Sequence, residues 1–213
     1  MTVYKFKTPI SEEEIRKLKV NDVLYVTGTI VTARDQAHRR ALEYFKQGKP
    51  LPINLEGLAV FHCGPVVSKE GEKWIAVAAG PTTSTRMDIF EDEFIKNFKV
   101  RVVIGKGGMG KKTTDAMAKY GAVYGAFTGG AAILAARAIK NVKSVEWLDL
   151  GTPEALGFSK LRSLVRWLLL LTRMETTFSW MSRRRLKRTS RRFIRNLVCC
   201  LSFNHYFSIY FCF

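Results

Sequence analysis

Three short segments of the sequence concentrate the residue types that bind anions and transfer protons. Residues 28–40 read GTIVTARDQAHRR, residues 80–88 read GPTTSTRMD, and residues 105–114 read GKGGMGKKTT. Each contains or follows an apolar run and leads toward a predicted helix, where main-chain N–H groups favour carboxylates and phosphates. The three segments therefore predict binding sites for an anionic ligand.

The first two segments also have a purely structural interpretation. Asp35 would cap a helix while the neighbouring arginines are solvated, and the hydroxyls of residues 82–85 would form a generous N-terminal cap. The sequence alone favours the cap for the first segment and leaves the two interpretations equal for the second.

The third segment comes close to a nucleotide-binding P-loop, GxxxxGK(S/T). Gly105, Gly110 and Lys111 match, but Lys112 stands at the position of the magnesium-binding hydroxyl and Thr113 comes one residue late. No strand ending in an obvious magnesium-binding aspartate follows. A P-loop-like ATPase is therefore a distant alternative.

The spacing of apolar residues along the sequence predicts the strands and helices that position these segments. Strands are predicted at residues 23–31, 58–62, 74–78, 100–104, 123–127 and 144–148. Helices are predicted at residues 35–47, 87–98, 113–120 and from 129 to 139. The fold class is α/β, with buried strands flanking glycine-rich turns.

Charge and cysteine are unevenly distributed along the 213 residues. Residues 157–213 carry +11 of the net charge of +17, together with three of the four cysteines. We therefore expect no nucleic-acid partner and no membrane partner for residues 1–156, and a cytoplasmic location, since no signal peptide is recognised at the start. The lone Cys63 is predicted to be a buried core residue, so no metal is expected in this chain.

Taken together, the motifs TGTIVTARDQAHRR, FHCGP, GPTTSTRMD, GKGGMG and LGTPEAL resemble the β subunit (or C-terminal domain) of class I fumarases and L(+)-tartrate dehydratases. The resemblance covers residues 7–156. It implies a swivelling β/β/α domain that closes over a 4Fe–4S cluster, with the cluster held by three cysteines of an α subunit. The implied activity is reversible hydration of fumarate to (S)-malate, and L(+)-tartrate dehydration is the alternative.

The resemblance also implies roles for individual residues. Arg34, Arg86 and Lys106 would bind the dicarboxylate, and Thr82 would be the proton-transfer group. Supporting roles fall to Asp35, His38 and Thr83.

From Gly157 onward the sequence departs from the family pattern. If one T is placed before the Gly157 codon, a permitted choice of codons reads WVFEVKE, which resembles the family. We therefore predict a domain of residues 1–156 and an out-of-frame, disordered tail of residues 157–213. A membrane-anchoring role for this tail is a remote alternative, because its apolar stretch is short and interrupted.

Overall fold

The computed structural model describes residues 2–20, 22–71 and 73–161. Its nine strands are β1 (Val3–Lys7), β2 (Val23–Ala33), β3 (Ala59–His62), β4 (Val66–Glu70), β5 (Lys73–Ala78), β6 (Val102–Gly105), β7 (Val123–Ala126), β8 (Ile139–Glu146) and β9 (Leu156–Leu161). Its five α-helices are α1 (Glu12–Arg16), α2 (Asp35–Lys46), α3 (Asp88–Phe98), α4 (Lys111–Tyr120) and α5 (Ala132–Ala138). Short 3-10 turns lie at Ser84–Arg86 and Leu148–Leu150.

The strands form one mixed sheet in the order β4-β5-β8-β9-β2-β3-β6-β7, with β1 paired to β2. Strands β2, β3, β6 and β7 run parallel to one another, whereas β9 runs antiparallel to both β2 and β8. The carboxyl ends of the parallel strands therefore meet along one edge.

Side chains alternate between two apolar cores, one on each face of the parallel strands. Ile30, Phe61 and Ile104 join the core that contains Ile15 of α1 and residues of α5. Val31, Val60 and Val103 join the core that contains residues of α2, α3 and α4. Because the parallel strands are covered on both faces, they read as continuous apolar runs in the sequence.

Helix ends follow local sequence signals. Ser11 and Glu14 form a reciprocal capping box at the start of α1. Helix α4 ends at Gly121, whose φ of 70° suits a residue without a side chain. Within the described residues, no helix has both the length and the apolar character needed to cross a membrane.

The predicted α/β class is confirmed, and every predicted strand and helix has a counterpart. The strand predicted at residues 144–148 is longer and begins at Ile139, so the preceding helix stops at Ala138. Sequence periodicity did not indicate four elements: β1, α1, β4 and β9.

Strand β9 corrects part of the predicted domain boundary. The boundary after Leu156 falls inside this strand, and residues 157–161 pair with β2 on one side and β8 on the other. The expectation of disorder is therefore wrong for these five residues. The frameshift itself stays a prediction, and residues 162–213 lie outside the described part of the chain.

Candidate functional site

The predicted site residues lie at the carboxyl edge of the parallel strands. Arg34 directly follows β2, the Cys63–Gly64 turn follows β3, and Lys106 follows β6. Loops at this edge converge in α/β folds, which explains how segments far apart in sequence meet.

Arg34 is held by two other motifs of the chain. Its Nη2 lies 3.1 Å from Oε1 of Glu154, and the other oxygen of Glu154 accepts from the N–H of Gln36 at 3.2 Å. A Cβ at Gly64 would lie 2.8 Å from Nη1 of Arg34, so the arginine needs glycine there. The Nε of Arg34 is buried and makes no hydrogen bond within the described residues.

Asp35 does not cap helix α2, contrary to the interpretation favoured for the first segment. The N-cap residue is Arg34, which makes no side-chain cap hydrogen bond. The Asp35 carboxylate instead forms an ion pair with the guanidinium of Arg86. The side chain of Arg86 is 49% exposed and that of Asp35 24%, so the pair is accessible to a ligand.

Backbone hydrogen bonds connect the turn from Thr82 to Arg86 to the ends of β3 and β6. The Thr82 N–H donates to the His62 carbonyl at 2.6 Å, and the Lys106 N–H donates to the Thr82 carbonyl at 3.3 Å. The Ser84 N–H in turn donates to the Lys106 carbonyl at 2.9 Å. These bonds place Thr82 and Thr83 beside Lys106, whose side chain is exposed.

The hydroxyl-rich turn is not an N-terminal cap either. Thr83 is the N-cap of the short 3-10 turn but makes no side-chain cap hydrogen bond. Ser84 is fully buried and uses its hydroxyl in contacts with His62 and Tyr124. The run of hydroxyls is thus divided between an inward serine and threonines nearer the surface.

The glycine-rich segment differs from a P-loop in what occupies its helix start. The Asp88 carboxylate accepts from the Gly110 N–H at 2.8 Å and from the Thr113 hydroxyl at 2.7 Å. A protein carboxylate therefore takes the place that a nucleotide phosphate would need. This geometry argues against the ATPase alternative.

Beneath these turns lies a buried polar network of five side chains, Tyr124, Ser84, His62, Glu91 and His38. The Tyr124 hydroxyl donates to Ser84 Oγ at 3.0 Å, and Ser84 Oγ lies 3.0 Å from Nδ1 of His62. Oε2 of Glu91 lies 3.0 Å from Nε2 of His62 and 3.3 Å from Nε2 of His38. His38, His62 and Glu91 are all 0% exposed.

Burial and charge act in opposite directions on this network. Burial alone would raise the pKa of Glu91, but the two histidines outweigh it and lower that pKa to about 2. Burial alone would lower the pKa of His38, but the Glu91 charge and hydrogen bond give a net rise. Burial dominates at His62 and lowers its pKa. The network therefore favours an ionised Glu91 and the protonated form of His38, and disfavours the protonated form of His62.

No arrangement suited to an iron–sulfur cluster occurs among the described residues. Cys63 is the single cysteine there, and burial raises the pKa of its thiol to about 12. His38, His62 and Glu91 come within 4.8 Å of one another, as metal ligands would. Each of them already contacts another member of the network, so we interpret the group as an ion pair with a hydrogen bond.

The structure gathers the predicted residues into one region. Arg34, Asp35 and Arg86 lie together through the ion pair, while Thr82, Thr83 and Lys106 lie together through backbone bonds. His38 is near them but buried, which suits the predicted orienting role and excludes direct contact with a ligand.

Sequence analysis did not identify five residues that shape the site: His62, Ser84, Asp88, Glu91 and Glu154. His62 and Glu154 lie within the motifs FHCGP and LGTPEAL, so the motifs indicated the segments that contain these residues but not their contacts. Glu91 lies in an ordinary amphipathic helix, 29 positions from its histidine partner, and no local pattern marks it.

Comparison with known proteins assigns this chain to a family. Residues 2–165 match the family described as Fumarase C-terminus. The chain belongs to this family, which includes relatives named as tartrate dehydratase β subunits.

Named relatives cover most of the described domain. The L(+)-tartrate dehydratase subunit beta of Escherichia coli K12 is 45% identical over 155 residues, 73% of this chain and 76% of the relative. A protein of Methanocaldococcus jannaschii, provisionally given the same name, is 43% identical over 147 residues, 68% of this chain and 75% of the relative. A protein of Geobacillus stearothermophilus, provisionally named fumarate hydratase class I, is 43% identical over 155 residues, 72% of this chain but only 29% of the relative.

Proposed function

We propose that this chain is the β subunit of a hydro-lyase that adds water reversibly to an unsaturated four-carbon dicarboxylate. The observation that carries the proposal is the grouping of Arg34 and Arg86 through Asp35, at the strand edge that also presents Thr82 and Lys106. Two guanidinium groups suit a substrate with two carboxylates, because each can bind one of them bidentately.

Fumarate, hydrated to (S)-malate, is the first candidate substrate, as the sequence resemblance implies. L(+)-tartrate is the second, and a specific observation favours it: the relatives of similar length are named tartrate dehydratase β subunits. The family likeness alone does not fix the substrate, because related sites on one fold serve different reactions.

The residues of this chain would bind and orient the substrate and move one proton. Arg34, whose side chain is 21% exposed, would present its guanidinium, and Arg86 would exchange the Asp35 carboxylate for a substrate carboxylate. Lys106 would add positive charge where the carboxylate-conjugated carbanion develops. The Thr82 hydroxyl would transfer the proton, a role in which a hydroxyl needs nearby cations to lower its pKa.

The iron–sulfur cluster is proposed to lie in the partner subunit. The buried, protonated Cys63 does not suit a cluster ligand, which fits a 4Fe–4S cluster held by the α subunit. When bound there, the cluster would supply a Lewis acid that polarises the substrate hydroxyl. A cytoplasmic enzyme of two kinds of subunit is the form we expect.

The test is reconstitution with a candidate α subunit under anaerobic conditions. Fumarate is followed by its ultraviolet absorbance in both directions, and L(+)-tartrate is assayed through its keto-acid product. Activity that requires both chains supports the proposal, and the ratio of the two rates identifies the substrate. Inactivity on both acids, with an α subunit shown to carry its cluster, would exclude it.

A further inference from the structure

The buried network connects the two turns that carry the proposed substrate-binding residues. On one side, Nδ1 of His38 lies 2.7 Å from the Arg34 carbonyl, which also accepts from the His38 N–H at 3.0 Å. On the other side, Nδ1 of His62 lies 3.0 Å from Ser84 Oγ, within the Thr82–Arg86 turn. Glu91 lies between the two histidines.

Hydrogen-bond polarity constrains where the protons of this network are. The Arg34 carbonyl only accepts, so Nδ1 of His38 must carry a proton, while Nε2 makes no hydrogen bond within the described residues and faces the Glu91 carboxylate as an ion-pair partner at 3.3 Å. The Tyr124 hydroxyl donates to Ser84, whose own proton is then free to point at His62 Nδ1. His62 therefore carries its single proton on Nε2 and donates it to Glu91.

We propose that Glu91 is a positioning residue that couples the Arg34 turn to the Thr82–Arg86 turn, through a doubly protonated His38 and a neutral, Nε2-protonated His62. Its Oε2 is hydrogen-bonded to Nε2 of His62 and forms an ion pair with Nε2 of His38. The same buried carboxylate thus positions both turns. The expected change in enzyme kinetics rests on the proposed function.

The charges around the network agree with this assignment. The groups that face the two histidines are Glu91 from α3 and Asp35 from the start of α2, along with each other. Phe94 packs on the His38 ring with centroids 4.4 Å apart and offers no charge. One buried cation with one buried anion leaves the network neutral, as burial requires.

The protonation states are tested on this chain without the partner. The sequence holds three histidines, so ¹⁵N-histidine NMR at pH 6.5, with His205→Gln and His62→Gln variants for assignment, resolves each ring. We expect imidazolium signals from His38 and a neutral Nε2–H tautomer from His62. A neutral His38, or one equivalent of tightly bound metal per chain, would overturn the proposal, because metal-bound Nε2 atoms would carry no proton.

The coupling is tested with Glu91→Gln, and with Ser84→Ala as a milder change on the His62 side. Asp22→Asn is the matched control, since Asp22 is also a buried carboxylate but binds the N–H groups of Thr2 and Lys19. In the isolated chain, Glu91→Gln should shift the amide signals of both turns, whereas Asp22→Asn should leave both unchanged. Shifts confined to α3 would refute the coupling, whether or not the chain proves to be a hydro-lyase.

In the reconstituted enzyme, misplaced turns should raise KM and lower kcat together. We expect a decrease in kcat/KM of about ten- to a hundredfold for Glu91→Gln, the cost of small misplacements in an active site. A substitution that only destabilised the subunit would reduce the number of active molecules, which lowers the apparent kcat and leaves KM unchanged. An unchanged KM in both Glu91→Gln and Ser84→Ala would overturn the positioning role.

Discussion

The guanidinium of Arg86 is paired with the carboxylate of Asp35, from the first turn of the neighbouring helix α2. The arginine proposed to bind substrate thus already holds a carboxylate of the protein. Because half of its side chain is exposed, this pair contributes little to stability and can be exchanged. In the proposed function, Asp35 would keep the guanidinium oriented until a substrate carboxylate replaces it.

Arg86→Lys should lower kcat/KM of the reconstituted enzyme by about 10²–10³, because an ammonium cannot bind a carboxylate bidentately where charge develops. Steady-state kinetics with fumarate or tartrate measures the change.

Arg39→Lys is the matched control for this substitution. Arg39 is an exposed arginine of α2, whose guanidinium lies over the Phe90 ring, 5.8 Å from its centroid. It should retain activity within about twofold, as most surface substitutions do. Equal effects of the two substitutions would remove Arg86 from the substrate site.

The isolated chain should show no iron–sulfur absorption and no hydro-lyase activity. Its described part offers one cysteine, and the raised pKa keeps that thiol protonated at neutral pH. Anaerobic reconstitution with iron and sulfide, followed by absorbance near 400 nm (roughly where such clusters absorb), measures cluster uptake. A stable 4Fe–4S cluster on this chain alone would contradict the subunit assignment.

The buried histidines predict a maximum of stability near pH 6.5, the ordinary pKa of both. The pKa of His62 is lowered on folding, so its contribution is present above pH 6.5 and is lost as the pH falls. The pKa of His38 is raised, so its contribution is present below pH 6.5 and is lost as the pH rises through the folded value. The free energy of unfolding therefore rises with pH below pH 6.5, which is the acid limb, and falls with pH above it, which is the alkaline limb.

Urea unfolding between pH 5 and 8 measures these limbs as slopes of the free energy of unfolding. His62→Gln should flatten the acid limb, and His38→Gln should flatten the alkaline limb. Asp22→Asn should change neither slope, because the lowered pKa of Asp22 places its titration below pH 3.8. Identical slopes in all three variants and the original chain would rule out this protonation scheme.

Repair of the reading frame should stabilise the domain. The test compares three forms: the 213-residue chain, a truncation after Leu156, and a chain with one T restored before the Gly157 codon. The truncation removes most of β9 and leaves β2 and β8 without their shared partner, so it should aggregate. The repaired chain should be the most soluble, and it should support the highest hydro-lyase rate with the α subunit.

A small cavity beside β9 bears on this comparison. Its volume is about 10 Å³, room for about one water molecule, and it is lined by Thr32, Ala76, Val142, Val145, Gly157 and Ser159, among others. The restored reading places tryptophan at position 157 and phenylalanine at 159, on the strand face that lines it. A Cβ at 157 would lie 2.4 Å from Oγ1 of the buried Thr32, so this threonine must shift to accommodate a side chain there.

Thermal unfolding and activity of the three forms, measured side by side, decide the question. Equal cooperativity and equal activity of the 213-residue and repaired chains would show that the frameshift interpretation is wrong.

Apolar periodicity was enough to predict the parallel strands and their helices, because strands covered on both faces leave long β-branched runs. It could not predict β4, whose exposed Val66 and Glu70 face solvent, or the short β1. The carboxyl-edge site followed from motifs, since each motif ends a strand. The partners of those motifs could not be predicted, because the contacts of Glu91 and Glu154 depend on tertiary packing across long sequence separations.

Strand β9 is the last described strand in the chain, yet it is the only link, among the described strands, between β4-β5-β8 and the half containing β2, β3, β6 and β7. During synthesis on the ribosome, each half can form its own pairs early, but the two cannot be joined until residues 156–161 have emerged. The joining step pairs residues as distant as Thr32 and Gly157, and such non-local closure slows folding. Every nascent chain therefore passes through a period in which the edges of both halves are unpaired and exposed to other chains.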